Sequence, residues 1–252
     1  MNLFDLTGRK AIVTGGTRGL GHGIAEGLME GGAEVVIFGS NDKVKDVAAD
    51  FSSKGFKCEG IAVDLANREA RKKAFYEAVE ILGGIDILVN SAGIQRRHKS
   101  EVFPKEDWDD VIEVNLSAPF ALCQLAAKEF LKVGYGKIIN ISSMLAFFGG
   151  HTVPAYAASK GGISQITKAF CNEWAGSGIN VNAIAPGYMA TEMNTALLDQ
   201  ENPRYKEITD RIPAGRWGTP DDIKGTAIFL ASRASDYLNG AIIPVDGGYL
   251  VK

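Results

Sequence analysis

A chain of 252 residues is long enough for one large α/β domain, and no change of composition marks a boundary within it. The net charge of −3 and the lack of a long basic run argue against nucleic acid or a membrane surface as a partner. The three cysteines are few, odd in number and far apart, without the paired spacing of a metal site or a disulfide framework, which favours a reducing compartment. Neither a leader-like N-terminus nor a bilayer-length apolar run is present, so we expect a soluble, cytoplasmic protein.

Apolar strand-like runs alternate with helical patterns along the whole sequence. This alternation predicts a doubly wound parallel sheet in a single domain covering residues 1–252. The predicted strands are 10–14, 34–38, 58–63, 85–89, 137–142, 179–184 and 242–245. The predicted helices are 20–29, 42–54, 67–82, 108–131, a helix from Pro154 onward, and 221–231. The segment 189–218 has an irregular, mixed pattern, which favours a lid or a wall of a substrate site.

The first predicted strand runs into a glycine-rich turn, GGTRGLG at 15–21, and then into a helix. Glycine permits the sharp turn and a close approach of helix to strand, and the helix N-terminus offers free N–H groups to a pyrophosphate. Three residues, not one, separate Gly15 from Gly19, so the spacing departs from the common dinucleotide fingerprint. A glycine cluster can be only a turn, but this position favours dinucleotide binding. The residues assigned to the dinucleotide here are Gly15, Thr17, Arg18, Gly19, Leu20 and Gly21.

The residues after the second strand bear on the choice between NAD and NADP. An acidic residue at this place would hold the adenosine 2′-hydroxyl, and none is present. Arg18, Ser40 and Asn41 could instead bind a 2′-phosphate through charge-assisted hydrogen bonds. The alternative is that Arg18 is an ordinary surface residue. We therefore predict NAD(P), with the physical features favouring the phosphorylated form.

Later strand ends are expected to complete the cofactor site. Asp64, beside Leu65, either accepts a hydrogen bond from the adenine amine or caps the following helix. After the fourth strand, the small residues of NSAG at 90–93 would let the backbone approach the ribose and nicotinamide. The further residues assigned to the cofactor are Asp64, Leu65, Asn90, Ala92, Gly93, Pro186, Gly187, Met189 and Thr191, together with Tyr156 and Lys160.

The loop after the fourth strand, Gln95-Arg96-Arg97-His98, leaves the sheet on its ligand-binding side. The planar donors of the paired arginines could clamp a carboxylate, although a solvated basic loop is an alternative. His98 is interpreted as a solvated side chain. Asn115, between Val114 and Leu116, is either a satisfied core amide or a functional one.

The stretch that carries the chemistry runs from the fifth strand into the helix that begins at Pro154. Tyr156 and Lys160 are i,i+4 neighbours, so they share a helix face. A nearby ammonium would lower the pKa of the Tyr156 phenol and make it a general acid/base. Ser143, at the end of the strand, would hydrogen-bond the same substrate oxygen. The Tyr-x3-Lys spacing alone is weak evidence and depends on the cofactor site.

Five motifs in order, TGGTRGLG, NSAG, Asn115, Ser143 with YAASK, and PGY at 186–188, resemble the short-chain dehydrogenase/reductase family over nearly the whole chain. The resemblance implies a sheet of order 3-2-1-4-5-6-7 and NAD(P)-dependent hydride transfer without a metal. It also implies a catalytic tetrad of Asn115, Ser143, Tyr156 and Lys160, with Asn115 holding a water that relays protons to Lys160. A homotetramer built through helices around 111–131 and 154–175 is implied as well. Ser91 departs from the usual Asn of the family.

Within this family, AGIQRR at 92–97 and RIPAGRWG at 211–218 resemble the dehydrogenases that act on sugar acids, a likeness that by itself favours NAD. Reductases of acyl carrier-protein thioesters are the alternative, and a non-catalytic nucleotide sensor on the same fold is a different class of function. Arg211 and Arg216 are secondary candidates for closing over the substrate. The residues assigned to the substrate are Gln95, Arg96, Arg97, Ser143, Tyr156 and Trp217.

Overall fold

Seven parallel strands form one sheet in the computed structural model, which describes residues 2–199 and 201–252. Their order, β3-β2-β1-β4-β5-β6-β7, confirms the predicted topology. The strands are β1 (Lys10–Thr14), β2 (Glu34–Gly39), β3 (Cys58–Ala62), β4 (Ile87–Asn90), β5 (Gly136–Ile141), β6 (Ile179–Pro186) and β7 (Ile242–Val245). The chain returns from β3, at one edge of the sheet, to β4 beside β1, so the strand order reverses between β1 and β4. At such a reversal a crevice opens beyond the carboxyl ends of the two strands.

Helices cover both faces of the sheet. They are α1 (Gly19–Glu30), α2 (Lys43–Ser53), α3 (Arg68–Leu82), α4 (Lys105–Ile112), α5 (Ala118–Val133), α6 (Pro154–Trp174), α7 (Thr195–Leu198), α8 (Pro203–Arg211) and α9 (Asp221–Ala231). Alternate residues of β1 face opposite layers: Ala11 and Val13 pack in one hydrophobic cluster with α1 and α9, and Ile12 packs in another with α3 and α5. No helix in the described ranges is both long and apolar enough to cross a membrane.

Two predicted segments differ from the structure. The helix expected at 108–131 begins earlier, at Lys105, and a π-helical turn at Glu113–Ser117 divides it into α4 and α5. The segment 189–218 is not irregular throughout, since it contains α7 and α8. Asn202 caps α8 by accepting a hydrogen bond from the Arg204 amide at 3.0 Å, and Pro203 starts its first turn. This helix buries only Ile208 and is otherwise mostly polar, so few apolar residues mark it as a helix in the sequence.

The segment 189–218, which we call the lid, packs on a small hydrophobic cluster of its own. Its buried members are Met144, Ile208, Ile212, Trp217 and Tyr249. This cluster is separate from the two that flank the sheet. The lid is therefore anchored by a local core beside the carboxyl end of β5.

Candidate active site

Ser143 and Tyr156 meet at the carboxyl end of β5. Ser143 lies two residues beyond the strand in extended conformation, and its Oγ accepts a hydrogen bond from the Leu145 amide at 3.1 Å. Tyr156 lies in the first turn of α6, within hydrogen-bonding reach of Ser143. Both side chains line a cavity of about 310 Å³. A cavity of this size is at the lower end of the range for small-molecule sites.

Lys160 is buried behind Tyr156. Its Nζ donates a hydrogen bond to the Ile141 carbonyl at 2.7 Å and lies 5.5 Å from the centre of the Tyr156 ring. Burial lowers the pKa of Lys160 to about 8. An ammonium carries three donors, so two N–H groups of Lys160 are left for a ligand.

The expectation that Lys160 lowers the pKa of Tyr156 is wrong for this arrangement. Burial raises the pKa of the Tyr156 phenol, and the hydrogen bond with Ser143 offsets part of that rise. The physical reason is that the same burial that disfavours a phenolate also disfavours the charged form of Lys160. The structure therefore holds Tyr156 as a neutral phenol, ready to donate a proton.

Asn115 lies in the π-helical turn between α4 and α5, a type of distortion that is frequent at functional sites. Its amide forms two hydrogen bonds with the Ile94 backbone, accepting from N at 2.8 Å and donating to O at 2.9 Å. The same Nδ2 donates to Ser159 Oγ of α6 at 3.3 Å. Of the two alternatives from the sequence, the structure thus displays the satisfied amide, which fastens the loop after β4 to α6. The proton-relay role of Asn115 stays a prediction.

The glycine turn after β1 stands against the loop after β4. Gly15 and Gly19 have φ of 69° and 58°, in the left-handed region that favours glycine. A Cβ on Gly15 would lie 2.9 Å from Ala92 Cα, and one on Gly21 would lie 2.2 Å from the Gly15 carbonyl oxygen. A Cβ on Gly93 would be 3.8 Å from Lys160 Nζ. The crevice beside Lys160 is therefore lined by backbone that could approach a dinucleotide closely.

Other predicted cofactor residues border the same crevice. A Cβ on Gly19 would lie 3.7 Å from Thr191 Cγ2, and one on Gly39 would lie 2.6 Å from Thr17 Cγ2. The turn, the end of β2 and the start of the lid are thus neighbours. The residues assigned to the cofactor that end or follow the remaining strands are Leu65 after β3, Asn90 at the end of β4, Pro186 at the end of β6, and Gly187 and Met189 beyond it. Leu20 is in the first turn of α1.

Arg18 forms an ion pair with Glu192 of the lid, so it has a carboxylate partner that the sequence did not indicate. Ser40 and Asn41 are exposed after β2, and Asn41 Oδ1 accepts a hydrogen bond from the Lys43 amide at 3.2 Å. The position where an acid would exclude a 2′-phosphate is open. Arg18 would have to leave Glu192 to meet such a phosphate.

The helix-cap alternative for Asp64 is wrong. Asn67 caps α3, accepting a hydrogen bond from the Ala70 amide at 3.0 Å. The Asp64 side chain accepts from the Ala66 amide at 2.9 Å instead and is exposed. An interaction of Asp64 with adenine stays a prediction.

The structure separates the two arginines of the loop after β4. Gln95 and Arg97 line the cavity with Ser143 and Tyr156. Arg96 points to α4 instead, with its Nε 3.3 Å from Asp107 Oδ1 and its Nη2 3.7 Å from Asp110 Oδ2. The assignment of Arg96 to the substrate is therefore wrong for this arrangement.

His98 also turns toward α4. Its Nε2 lies 2.6 Å from Asp107 Oδ2 and its side chain is 36% exposed, so His98 is partly solvated, as interpreted, but also has a carboxylate partner that the sequence did not indicate. Because Asp107 contacts both His98 and Arg96, it holds this end of the loop away from the cavity.

Two of the three lid residues proposed for the substrate lie outside the cavity. Trp217 is buried, donates from Nε1 to Thr209 Oγ1 at 2.9 Å, and stacks on Tyr205 with ring centres 6.0 Å apart. Arg216 makes two hydrogen bonds of 2.7 Å with Asp222. Trp217 is thus part of the lid core, and its assignment to the substrate is wrong for this arrangement. Arg211 does line the cavity.

Sequence reasoning missed several residues that line the cavity. These are His151, Tyr188, Asn194, Arg204, Glu207 and Tyr249. Arg204, Glu207 and Arg211 follow i, i+3, i+7 spacing on one face of α8. That spacing would have revealed them once the segment had been predicted as helical.

Comparisons with known proteins identify the family to which the chain is similar. A sequence model of the family described as enoyl-(acyl carrier protein) reductase matches residues 15–250. The chain is 49% identical to a 2-dehydro-3-deoxy-D-gluconate 5-dehydrogenase from Bacillus subtilis, covering 99% of this chain and 97% of the relative. A solved structure from Agrobacterium tumefaciens, described as a candidate 2-deoxy-D-gluconate 3-dehydrogenase with bound NADP, is 48% identical with a TM-score of 0.93 and full coverage of both chains. A gluconate 5-dehydrogenase from Burkholderia cenocepacia, in complex with NADP and tartrate, is 42% identical with a TM-score of 0.96, covering 100% of this chain and 98% of that one.

Proposed function

We propose that this chain, which belongs to the short-chain dehydrogenase/reductase family, transfers a hydride between NAD(P) and a secondary alcohol or ketone of a sugar acid. One observation carries the proposal: Ser143, Tyr156 and Arg97 line the same cavity. Proton-transfer groups and a carboxylate-binding group thus face a single ligand space. The relatives named for 2-dehydro-3-deoxy-D-gluconate, 2-deoxy-D-gluconate and gluconate support this substrate class.

The glycine turn beside Lys160 suits a dinucleotide, because a Cβ at Gly15 or Gly21 would clash with neighbouring backbone, so that glycine alone permits this tight turn before the N-terminus of α1. NAD(P) would be held by the glycine turn, by the backbone of Ala92 and Gly93, and by the free N–H groups of Lys160. When bound, it donates or accepts the hydride. We propose Thr17, Arg18, Ser40 and Asn41 for its adenosine end.

Tyr156 exchanges the proton with the substrate oxygen. Its raised pKa keeps the phenol protonated at neutral pH, which suits donation to a ketone oxygen during reduction. Ser143 donates a hydrogen bond to the same oxygen and stabilises the charge that develops there. The pKa of Lys160, about 8, is close to neutral pH, so its ammonium can pass a proton to Tyr156 after Tyr156 has given up its own.

Arg97, assisted by Gln95, would bind the carboxylate. A guanidinium offers two parallel donors to the two oxygens, which fixes the orientation of the acid as well as its position. The carbon that is oxidised would then be the one whose distance from the carboxylate places it beside Ser143 and Tyr156. An acyl thioester would bring no carboxylate for Arg97 to bind.

A Tyr156→Phe variant tests the mechanism. It should bind NADP with unchanged affinity and lose about 10²- to 10⁴-fold in turnover, because the general acid is removed. Tyr135→Phe is the matched control, since that partly buried phenol lies outside the cavity. Turnover is followed by cofactor absorbance with the three sugar acids, their keto forms and an acetoacetyl thioester. Near-normal turnover in Tyr156→Phe would remove Tyr156 from the reaction, and no turnover of any compound by the wild type would favour a nucleotide sensor.

We also propose a cytoplasmic homotetramer formed through α4, α5 and α6. Supporting it, Trp108, Phe120 and Leu131 of α4 and α5 are 40%, 39% and 50% exposed, so these neighbouring helices leave large apolar side chains for a partner chain to cover. The three cysteines are free thiols, as expected in a reducing compartment.

A further inference from the structure

The arginines of the chain divide into two groups. Seven of the ten have a carboxylate oxygen within 4.0 Å: Arg9, Arg18, Arg68, Arg71, Arg96, Arg216 and Arg233. The other three, Arg97, Arg204 and Arg211, have no such partner in the described part of the chain, and all three line the active-site cavity. The arginines that lack a carboxylate are therefore those that a ligand in this cavity would meet.

The charges around the cavity do not balance. Glu207 is the one carboxylate among the described lining residues, against three guanidinium groups. A ligand that fills the cavity removes water from these groups, and a charge that loses water without gaining a countercharge costs free energy. One carboxylate on the ligand together with Glu207 would neutralise two of the three arginines. A second negative group on the ligand would neutralise the third.

The positive groups come from two separate elements. Arg97 belongs to the loop after β4, and Arg204 and Arg211 belong to α8 of the lid. The Arg211 guanidinium stacks on Tyr249 at 4.3 Å from the ring centre and lies 5.9 Å from that of Phe148. This stacking holds the planar donors of Arg211 in place before a ligand arrives, which lowers the entropy cost of binding.

We infer that Arg204 and Arg211 form a second anion-binding position, so that the cavity accepts six-carbon sugar acids with an acidic group at each end. The inference rests on the proposed function in that Arg97 takes the first carboxylate. Glu207, on the same helix face, accepts hydrogen bonds from the intervening hydroxyl groups. Burial raises the pKa of the Tyr188 phenol, and the charges of the nearby Arg204 and Arg97 offset part of that rise.

The test compares D-glucarate with D-gluconate, which differ in having a carboxylate or a hydroxymethyl group at carbon 6. Neither has a ketone, so neither is reduced in the presence of NADPH. Calorimetric titration of the full chain with NADPH therefore measures binding without turnover. We expect glucarate to bind about tenfold more tightly than gluconate, the effect of one additional charge-assisted interaction.

Arg204→Gln and Arg211→Gln should each weaken the binding of glucarate about fivefold or more, and the affinity for gluconate should stay within about twofold of the wild-type value. The affinity of Arg211→Lys for glucarate should lie between those of the wild type and Arg211→Gln, because lysine keeps the charge and loses the planar donors. Lys206→Gln, the same charge change on α8 outside the cavity, should alter neither affinity. Equal affinity of the wild type for the two acids, or equal losses for both in the lid variants, overturns the second position. Turnover of keto-aldonates is measured separately, so failure of the proposed function is distinguishable from failure of this inference.

Discussion

The carboxyl edge of the sheet and the lid hold their polar groups in opposite ways. At the edge, Asn115 and Lys160 are buried and hydrogen-bonded to the backbone of neighbouring loops and strands. In the lid, Arg204 and Arg211 are exposed, and the segment rests on a small hydrophobic cluster of its own. The edge is thus fixed by the main fold, whereas the lid depends on a few side chains. Local opening should therefore affect the lid first.

The largest expected effect comes from removing the largest side chain of the lid core, which should destabilise the lid and leave the sheet intact. Trp217→Ala deletes a buried ring stacked on Tyr205 and its hydrogen bond to Thr209, which should cost about 3–5 kcal/mol. Because the lid has a separate core, we expect the loss as faster hydrogen exchange in α8 and a raised KM for the sugar acid. NADP affinity should change little. Equal acceleration of exchange in β4 and β5 would show that the lid and the sheet unfold as one unit.

Lys160→Met tests the buried edge of the sheet through the pH dependence of the free energy of unfolding. Because the pKa of Lys160 is lowered to about 8 from 10.5, the folded protein gives up this proton more readily than the unfolded chain. The cost of the buried charge is therefore complete below pH 8 and disappears as the pH rises toward 10.5. At pH 7, Lys160→Met should raise the free energy of unfolding by about 2 kcal/mol, the cost of the charge less about 1 kcal/mol for the lost bond to Ile141.

Denaturant unfolding of the wild type and Lys160→Met at several pH values measures this difference. The advantage of the variant should shrink steadily between pH 8 and 10.5, although its turnover is lost. Lys206→Met, a change at an exposed residue, should keep a constant difference from the wild type. A constant difference for Lys160→Met as well would mean that Lys160 is not titrating in this range.

The sequence predicted the carboxyl edge of the sheet well, because strand ends and helix starts depend on residues that are neighbours in the chain. Strand ends of the predicted sheet agree with the structure to within two residues, and Ser143 and Tyr156 follow from one strand end and one helix start. The choice between Arg96 and Arg97 was beyond the sequence, since it depends on where Asp107 of α4 lies in space. The same is true of Trp217, whose partners belong to the lid's own core.

The smallest expected effect concerns the ion pair that joins the two regions, Arg18 of the glycine turn with Glu192 of the lid. Their side chains are 72% and 65% exposed, so the pair should contribute less than about 1 kcal/mol to stability. Its influence should appear in cofactor choice, because Glu192 competes with a 2′-phosphate for the same guanidinium. Arg18→Ala should weaken NADP about tenfold and leave NAD nearly unchanged.

Glu192→Gln makes the opposite change, since it frees Arg18 without moving it. We expect NADP to bind about two- to fivefold more tightly and NAD to be unaffected, with the gain decreasing at high salt because the groups are exposed. Fluorescence titration with both cofactors, at low and high salt, measures each ratio. Glu201→Gln, another exposed carboxylate of the lid, controls for the general change of charge. If Glu192→Gln altered NADP and NAD equally, the ion pair would be acting on the lid rather than on the 2′-phosphate. If Arg18→Ala lost affinity for neither cofactor, Arg18 would have no part in cofactor choice.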